Sequence, residues 1–375
     1  MKKILFFSPY FYPYISGVTT YPYKVLTHLA KQNKVTVLTF KYKSNLKSCE
    51  KIEGLNIHRM NSLISVSKGF ISPQSWIRFY QEVRKHDVVI LNIPNAEGLP
   101  LALFAKLFGK KIISIYHCQV FLDNNLTQKF INGVLNFSVY LQLYFSTTIV
   151  AYTKNYIQSI PMIRGFVKKI KTVLPPLITE KIADSTIADE IKIKTAGNKI
   201  IGFCGRISKE KGVEYLIEAA KNMKSIFLLF AGPYGKNVAG EEIYYEKIQK
   251  RLDSSPIPYL FLGSLSGQKL RAFYESIDVL VLPSVNQTEA FGMVQAEAMC
   301  AGTPVIASNL PGVRMPIKLT KMGILVRPYD ISVLSSAISS VLKNKEKYGN
   351  DLLKNKAIKL FDINTVYRFY EKLIP

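Results

Sequence analysis

Short apolar runs alternate with helical patterns along the whole chain of 375 residues. Continuous apolar runs of four to six residues are typical of strands in parallel sheets that are covered on both faces. Between the first two runs, residues 20–31 have the spacing of an amphipathic helix. This alternation predicts that residues 1 to about 175 form one doubly wound α/β unit. Its predicted strands are 3–8, 35–40, 88–92, Lys111–Tyr116 and 147–152.

The same alternation starts again near residue 199 and predicts a second α/β unit. Its predicted strands are 200–204, Ile226–Ala231, 259–262, Val279–Leu282, 304–307 and Gly323–Val326. Residues 179–198 are polar and irregular, which predicts a linker region, and 361–373 have the pattern of a helix with one apolar face. We therefore expect domains at 1–178 and 179–360, followed by a final helix within 361–375.

Hydrophobic residues make up 48% and charged residues 20% of the chain, which is ordinary for a soluble α/β protein. The four cysteines are far apart and form no C-x-x-C pair, so we expect free thiols, a reducing compartment and no zinc site. The N-terminal apolar stretch ends at Ser8-Pro9 and is too short for a signal sequence. Polar side chains interrupt the longest uncharged stretch, 130–153. These features predict a cytoplasmic protein without a membrane span.

The net charge of +24 is distributed unevenly, since residues 1–175 contain 23 lysines and arginines against six acidic residues. A basic half predicts an anionic partner, such as a membrane surface, a lipid diphosphate or a nucleic acid. The alternative is a compositional bias towards lysine. Residues 123–145 contain apolar and aromatic side chains at helical spacing, which predicts a core helix. The alternative is an acceptor or membrane face, together with Lys106, Lys110 and Lys111.

A pair of carboxylates follows the apolar run Val279–Leu282, in the segment Glu289-Ala-Phe-Gly-Met-Val-Gln-Ala-Glu297. The segment predicts a loop with Glu289 and a helix that begins near Gly292. Free N–H groups and a partial positive charge at a helix start suit a phosphate. A diphosphate there would have one carboxylate beside each end. The alternative is a buried helix with two solvated glutamates.

A second candidate segment, Gly205-Arg206-Ile-Ser-Lys-Glu-Lys211-Gly212, lies between a predicted strand and a predicted helix. Gly205 allows close approach of the backbone, and Arg206 and Lys211 supply cations. Ligands of open α/β sheets bind at this edge. The alternative is a basic surface turn. Two further turns, Ala231-Gly232-Pro233 and Leu262-Gly-Ser264-Leu265-Ser, end the next strands and could equally be simple chain reversals.

These segments, in register with Pro283-Ser284 and Gly302-Thr-Pro304, resemble the retaining glycosyltransferases of family GT4, which have the GT-B fold. The resemblance implies two Rossmann-like doubly wound domains facing a central cleft, with a C-terminal helix that crosses back to the first domain. It further implies that the first domain binds the acceptor and the second binds a nucleotide-diphosphate sugar.

The resemblance also implies roles for single residues. Arg206 and Lys211 would hold the donor diphosphate, Glu289 would bind the donor sugar, and Glu297 would bind the ribose. His117, which follows a strand, would contact the transferred sugar, although it could equally be a satisfied polar residue. The implied donor-binding residues are Gly17, Gly205, Gly232, Leu262, Ser264, Leu265, Ala290, Phe291, Gly292, Met293, Val294 and Glu297.

The function implied is transfer of a hexosyl group, with retention, from GDP-mannose or a UDP-hexose to a glycan or lipid-linked acceptor in polysaccharide biosynthesis. No D-x-D motif occurs, so we expect no metal and no cofactor. The basic first domain predicts peripheral docking at the inner face of the membrane. The alternatives are a GT-B sugar-nucleotide epimerase or hydrolase, a transferase-like subunit without turnover, and a non-enzymatic basic protein. Because no nucleic-acid module is recognisable, we expect no nucleic-acid partner.

Overall fold

The structure, a computed structural model, describes residues 1–14, 16–66, 69–120, 126–177, 180, 182–238 and 241–374. The chain forms two compact units. The first unit comprises Met1–Pro176 together with Ile363–Pro375, and the second comprises Leu177–Asp362. The expected boundary between residues 178 and 179 falls outside the described residues.

The first unit is built on a sheet of eight strands in the order β10-β9-β8-β7-β1-β2-β4-β3. All neighbours in this sheet are parallel except β3 and β4, and β5 and β6 form a separate antiparallel hairpin. The strands are β1 Lys3–Phe7, β2 Lys34–Phe40, β3 Cys49–Ile52, β4 Leu55–Met60, β5 Ile64–Val66, β6 Gly69–Ile71, β7 Val88–Ile93, β8 Lys111–Tyr116, β9 Thr148–Ala151 and β10 Ile170–Thr172.

Helices cover the sheet of the first unit, as right-handed crossovers between parallel strands require. They are α1 Gly17–Leu29, α2 Gln74–Lys85, α3 Leu99–Leu107, α4 Leu126–Phe145 and α5 Lys154–Gln158, followed by a 3₁₀ segment, Pro161–Lys169. The buried positions of β1 and β2 pack with Tyr21, Val25 and Leu26 of α1 in one apolar core.

The second unit contains a fully parallel sheet of six strands in the order β13-β12-β11-β14-β15-β16. The strands are β11 Lys199–Cys204, β12 Ile226–Ala231, β13 Tyr259–Phe261, β14 Val279–Leu282, β15 Val305–Ser308 and β16 Gly323–Val326. The helices are α6 Ser185–Thr195, α7 Val213–Ala220, α8 Glu242–Asp253, α9 Gly267–Ser276, α10 Met293–Ala301, α11 Met315–Thr320, α12 Ile331–Lys343, α13 Lys345–Gly349 and α14 Asp351–Leu360.

The last helix, α15 Ile363–Leu373, belongs to the first unit, so the chain returns there after the second unit is complete. Tyr370 is fully buried, and its hydroxyl lies 2.6 Å from that of Tyr21. The ammonium of Lys111 donates to the carbonyl of Leu373 at 2.8 Å. The returning helix therefore completes the core of the first unit.

The predicted α/β fold is confirmed, and all eleven predicted strands are present to within one residue at either end. The sequence pattern did not predict β3–β6 and β10. Two of these, β3 and β10, are short strands whose residues are only partly buried or exposed, so they lack the continuous apolar run of a strand covered on both faces.

The prediction of a linker at 179–198 is wrong over most of its length. Residues Ser185–Thr195 form α6, which packs against α9. The carboxylate of Asp184 accepts a hydrogen bond from the N–H of Ile187 at 3.0 Å and caps the helix start. Ile191 is fully buried. Residues 178, 179 and 181 lie outside the described part of the chain.

The prediction of a helix within 123–145 is confirmed from Leu126 onward, but the predicted core position of its aromatic side chains is wrong. Helix α4 begins at Leu126, and residues 123–125 lie outside the described part of the chain. Its buried residues are Ser138, Val139, Gln142 and Leu143. These pack towards α3 and the loop before it, in which the carbonyl of Asn95 accepts a hydrogen bond from Gln142 at 2.8 Å. Most of the aromatic side chains of the helix, including Phe130, Phe137 and Tyr144, lie on the opposite, exposed face.

None of the described helices combines the length and the apolarity that crossing a lipid bilayer would require.

Candidate active site

The carboxyl ends of β11, β12 and β13 are joined by hydrogen bonds between their glycine turns. The N–H of Gly205 donates to the carbonyl of Ala231 at 2.8 Å, and the N–H of Gly232 donates to that of Gly263 at 2.7 Å. A Cβ atom on Gly232, whose φ is +135°, would collide with the carbonyl of Gly205. These turns therefore present bare backbone at the sheet edge where open α/β sheets bind ligands.

Arg206 and Lys211 are two of the three cationic residues that follow β11 at this edge. The guanidinium of Arg206 is half exposed and pairs with Glu210 at 2.8 Å. Lys211 ends a 3₁₀ turn, and its Nζ forms a close ion pair with Oε2 of Glu289. The side chains of Lys211 and Glu289 are largely buried. The structure thus brings the cationic segment after β11 together with the loop that precedes α10.

Glu289 also contacts the start of α10. Its Oε1 accepts a hydrogen bond from the N–H of Gly292 at 3.0 Å. Gly292 is the N-cap residue of α10 and has a φ of +75°. Since the first N–H groups of a helix lack helical partners and carry partial positive charge, a carboxylate is stabilised there. Glu289 therefore lies between two positive groups, the Lys211 ammonium and the helix start.

Glu297 lies one turn further along α10, in a different environment. It is partly buried and accepts a hydrogen bond from the hydroxyl of Tyr274 at 2.7 Å. Burial raises the pKa of the Glu297 carboxyl. The Tyr274 hydroxyl also lies 3.3 Å from the Sγ of Cys204 at the end of β11. The two glutamates thus differ in their partners, one being bound to charged and helix-end groups and the other to a tyrosine.

Tyr274 and Cys204 are site residues that the sequence reasoning missed. Both are buried, and they connect α9 and β11 to Glu297. Tyr274 falls on the apolar face of α9 beside Ala272 and Phe273, so the pattern marks it only as a core residue. The one available signal was that a buried tyrosine hydroxyl needs a hydrogen-bond partner.

The remaining predicted donor-binding residues of the second unit fall into two groups, which are buried or at least partly exposed. Ala290 and Phe291 are buried, and the ring of Phe291 packs 6.1 Å from that of Phe361. Partly or fully exposed are Leu262, Ser264 and Leu265 in the loop after β13 and Met293 and Val294 in the first turn of α10. Their role in donor binding stays a prediction.

Across the described part of the chain, no three histidine, cysteine, aspartate or glutamate side chains are grouped as metal ligands.

Gly17 of the first unit is the first residue of α1 and does not lie in the predicted loop ahead of a helix at 20–31. The reason is a helix start at Ser16, whose N–H donates to the hydroxyl of Thr19 at 3.0 Å. Ile15, in the same segment, lies outside the described residues. The role of Gly17 in donor binding stays a prediction.

His117, also in the first unit, is buried, and both of its ring nitrogens have partners. Nε2 lies 2.6 Å from Oδ1 of Asn92, and Nδ1 contacts the hydroxyl of Tyr152. The amide nitrogen of Asn92 donates to Ser8 and to the carbonyl of Val18 at 3.0 Å each. Asn92 therefore offers its oxygen to the histidine, which assigns the proton to Nε2.

Burial lowers the pKa of His117 to about 3, so the imidazole is neutral. With one nitrogen donating and the other accepting, the described contacts satisfy the ring. They favour the structural interpretation that the sequence left open. The contact with a transferred sugar stays a prediction.

Residues 184–357 match the family model described as glycosyl transferases group 1. This is nearly all of the second unit and a little under half of the chain. The model therefore assigns a glycosyltransferase domain to the unit that contains the site described above.

Two curated relatives match the chain over a similar length. An uncharacterized glycosyltransferase of Methanocaldococcus jannaschii is 35% identical over 149 residues, which are 39% of this chain and 36% of that protein. A D-inositol 3-phosphate glycosyltransferase of Corynebacterium urealyticum is 29% identical over 156 residues, which are 40% of this chain and 36% of that protein. The aligned stretch spans about a third of the length of these relatives.

A longer match is found with an uncharacterized 41.2 kDa protein from the cps region of Klebsiella pneumoniae. It is 27% identical over 303 residues, which are 76% of this chain and 79% of that protein.

Solved structures resemble the chain over its full length. Anabaena HepE, crystallised with UDP and glucose, has a TM-score of 0.79 at 17% identity and covers 100% of this chain and 99% of its own. Sucrose-phosphate synthase of Thermosynechococcus elongatus has a TM-score of 0.79 at 18% identity, with 100% and 98% covered. The fold is therefore that of the GT-B glycosyltransferases. The family match concerns residues 184–357 of the second unit, and the solved structures, at 17% and 18% identity, show the fold.

Proposed function

We propose that this protein is a retaining glycosyltransferase of the GT4 type that transfers a hexosyl group from a nucleotide-diphosphate sugar to a glycan or lipid-linked acceptor. One observation carries the proposal. Lys211, Glu289 and the N–H of Gly292 form a continuous chain of contacts that joins the cationic segment after β11 to the start of α10. This chain lies in the domain that matches the glycosyl transferases group 1 model.

The proposed role of the cations follows from the charge that the reaction develops. When the bond between the sugar C1 and the β-phosphate oxygen breaks, negative charge grows on the departing diphosphate. Arg206, Lys211 and the helix start at Gly292 would stabilise that charge, and fixed positive groups at such a place lower the reaction barrier. The acceptor oxygen would bond to C1 on the face that the diphosphate leaves, and the acceptor proton would pass to the leaving phosphate.

Lys211 must change partners for this role, since Glu289 now neutralises it. A donor diphosphate would compete with Glu289 for the Lys211 ammonium and for the helix start. The displaced carboxylate would then be free to accept hydrogen bonds from hydroxyls of the donor sugar. Glu297, already held by Tyr274, would accept hydrogen bonds from the ribose. The two glutamates would thus bind opposite ends of the donor.

The relatives support this assignment and narrow the donor and acceptor. Anabaena HepE has been crystallised with UDP-glucose, which supports a UDP-hexose ahead of GDP-mannose as the donor. The Klebsiella relative is encoded in a cps region and matches most of the chain, which supports an acceptor in polysaccharide biosynthesis. In this proposal the transfer needs no metal, because lysine and arginine take the place of a divalent ion beside the diphosphate.

The test is to replace each cation with alanine in the full chain. We expect Arg206→Ala and Lys211→Ala each to lower turnover by about 10- to 1000-fold, because charge-assisted hydrogen bonds of about 1.5–3 kcal/mol each are lost or weakened in the transition state. Released nucleoside diphosphate is measured with a panel of nucleotide sugars and glycan acceptors. The wild type is assayed with and without EDTA, and loss of its turnover in EDTA would contradict the metal-free part of the proposal.

Arg251→Ala is the matched control, since Arg251 pairs with Glu218 at 2.8 Å on the same unit and is as exposed as Arg206. It should leave turnover unchanged. Near-normal turnover in both Arg206→Ala and Lys211→Ala would overturn the assignment. A sugar product that forms without any acceptor would instead identify a hydrolase or an epimerase.

A further inference from the structure

Helix α4 exposes a continuous stripe of large apolar side chains, which we call the aromatic face. Phe130, Phe137 and Tyr144 are 73%, 64% and 57% exposed. The intervals of three, four and seven residues place these side chains on one side of an α-helix. The face consists of Phe130, Val134, Phe137, Tyr140 and Tyr144.

Such a face is unfavourable in water, because transfer of an exposed apolar ring from water to an apolar environment lowers the free energy. Single exposed apolar residues are common, but a contiguous apolar patch marks a surface that binds another surface. The helix is held by its opposite side, where Ser138, Gln142 and Leu143 are buried. At the N-terminal end of the face, Phe130 and Phe137 are exposed, and among the described residues their rings contact no other ring of the first unit.

Cations surround one end of this face. Lys169 donates to the carbonyl of Tyr144 at 2.6 Å, and its Nζ lies 5.5 Å from the centre of the Tyr144 ring and 5.6 Å from that of Phe166. The ring of Tyr140 packs 5.2 Å from that of Phe166. Burial, with a smaller contribution from the nearby charge of Lys106, lowers the pKa of Lys169. Lys106 of α3 therefore lies near the same end.

The surrounding sequence contains almost no negative charge. Between Gly98 and Leu177 the only acidic residue is Asp123, whereas this stretch contains nine lysines and arginines. Lys106, Lys129 and Lys168 are exposed. An apolar face bordered by cations matches the surface of an anionic bilayer, where rings reach the acyl boundary and lysines remain among the headgroups.

We propose that the aromatic face of α4, with Lys129 beside it on the same helix and with Lys106 and Lys169 near one end, docks the protein on an anionic lipid bilayer and inserts its rings into the interfacial layer. The helix lies along the surface and does not cross the bilayer. The inference rests on the proposed function in one respect, since a lipid-linked acceptor would be presented at that surface. Because rings and charges both contribute, binding should weaken with salt but persist in part at high salt.

The first test is co-sedimentation of the full chain with vesicles of phosphatidylcholine and phosphatidylglycerol, at low and high salt. Phe130→Ser combined with Phe137→Ser should weaken binding about tenfold or more, because much of the inserted apolar area is lost. Lys106→Gln combined with Lys129→Gln should weaken binding mainly at low salt. Vesicles of phosphatidylcholine alone should bind the wild type less.

Two control pairs on the second unit match these changes. Ile243 and Leu352 are 71% and 79% exposed, and their replacement by serine should not alter vesicle binding. Lys356 and Lys359 are exposed on α14, and their replacement by glutamine removes the same charge from another surface. Equal binding by the wild type and the Phe130/Phe137 variant would overturn the proposal, as would absence of wild-type binding.

A second test reports insertion directly. Trp76 is the only tryptophan, so Trp76→Phe combined with Phe137→Trp places a single fluorophore on the aromatic face. Its emission should shift to shorter wavelength on vesicle binding and be quenched by brominated lipid. Unchanged emission would contradict insertion. A concentration-dependent dimer that the Phe130/Phe137 variant abolishes would instead show that a second copy of the chain covers the face.

The test of vesicle binding can be separated from the test of the proposed glycosyltransferase function. Arg206→Ala should bind vesicles as the wild type does, because Arg206 lies in the second unit, far along the chain from α4. If the wild type binds vesicles but no nucleotide sugar, the proposed function fails and the docking surface stands. If it turns over nucleotide sugar in solution but binds no vesicle, the docking surface fails alone.

Discussion

At the scale of single residues, the buried imidazole of His117 makes the folding of the first unit sensitive to acid. Burial lowers its pKa in the folded protein to about 3, whereas a histidine in an unfolded chain has a pKa of about 6.5. Between these values the unfolded state binds a proton that the folded state does not. Stability is therefore lost as the pH falls below about 6.5, by up to about 1.4 kcal/mol for each pH unit.

We expect His117→Gln to reduce this acid sensitivity, because the amide can still donate and accept hydrogen bonds but does not titrate. The measurement is the urea midpoint of unfolding between about pH 6.5 and 4.5. The variant should show the shallower decline even if it is less stable at neutral pH. An identical decline in variant and wild type would show that His117 does not titrate as its burial implies.

The sequence was informative about site residues that are polar, charged or glycine and that follow directly after a buried apolar strand. Gly205, Arg206 and Lys211 follow a strand, and the structure places Lys211 against Glu289 of the E-x7-E segment. The sequence could not show that Glu289 occupies the helix start itself, because that depends on the path of the loop. Nor could it identify Tyr274, whose hydroxyl is polar but whose ring fits a core position.

At the scale of elements, Gly292 determines how α10 starts. Its φ of +75° is in the left-handed region, and a Cβ there would lie 2.6 Å from Leu282 and 2.6 Å from the amide of Gln295. Gln295 in turn donates to the carbonyls of Phe291 and Val313 at 3.1 and 2.9 Å. The start of α10 is therefore packed closely against Leu282, the last residue of β14.

We expect Gly292→Ala to destabilise the second unit by roughly 2–5 kcal/mol, since backbone strain adds to overpacking. Gly197→Ala is the matched control, because Gly197 has a φ of +77° with no atom within 4 Å of a Cβ. It should cost only the strain, about 1–2 kcal/mol. Urea unfolding of both variants measures the difference. Equal losses of stability in the two variants would mean that the side chains of Leu282 and Gln295 move aside at little cost.

The two segments that the sequence mispredicted failed for different reasons. Residues 185–195 have few large apolar side chains, and α6 depends on its Asp184 cap and one buried isoleucine. Helix α4 has many large apolar side chains, but it buries Val139 and Leu143 with two polar residues and leaves most of its aromatic rings exposed. Hydrophobic periodicity predicts that a segment is helical, but it does not show which face meets the core when a surface binds something else.

At the scale of the whole molecule, the first unit depends on residues from both ends of the chain. Tyr370 of α15 is fully buried among residues of α1 and the sheet. We expect Tyr370→Ala to cost about 3–5 kcal/mol in the first unit, and Tyr370→Phe about 1–3 kcal/mol, because only the hydroxyl contact with Tyr21 is lost.

Hydrogen exchange resolved by peptide measures this prediction, because it reports each unit separately. Amides of β1, β2 and α1 should lose protection in Tyr370→Ala, whereas those of β11 and β12 should not. Equal loss in both units would show that they unfold together and that the returning helix supports the entire chain.

The return of α15 also sets the order in which the protein can be completed on the ribosome. Domains generally fold as they emerge, starting from the N-terminus. Here the first 176 residues leave the ribosome long before their last helix is made, while Leu177–Asp362 emerge as an uninterrupted unit. The second unit can therefore finish folding first, and the first unit must wait for the final 13 residues with part of its core uncovered. A nascent chain stalled before residue 363 would be the form of this protein most in need of a chaperone.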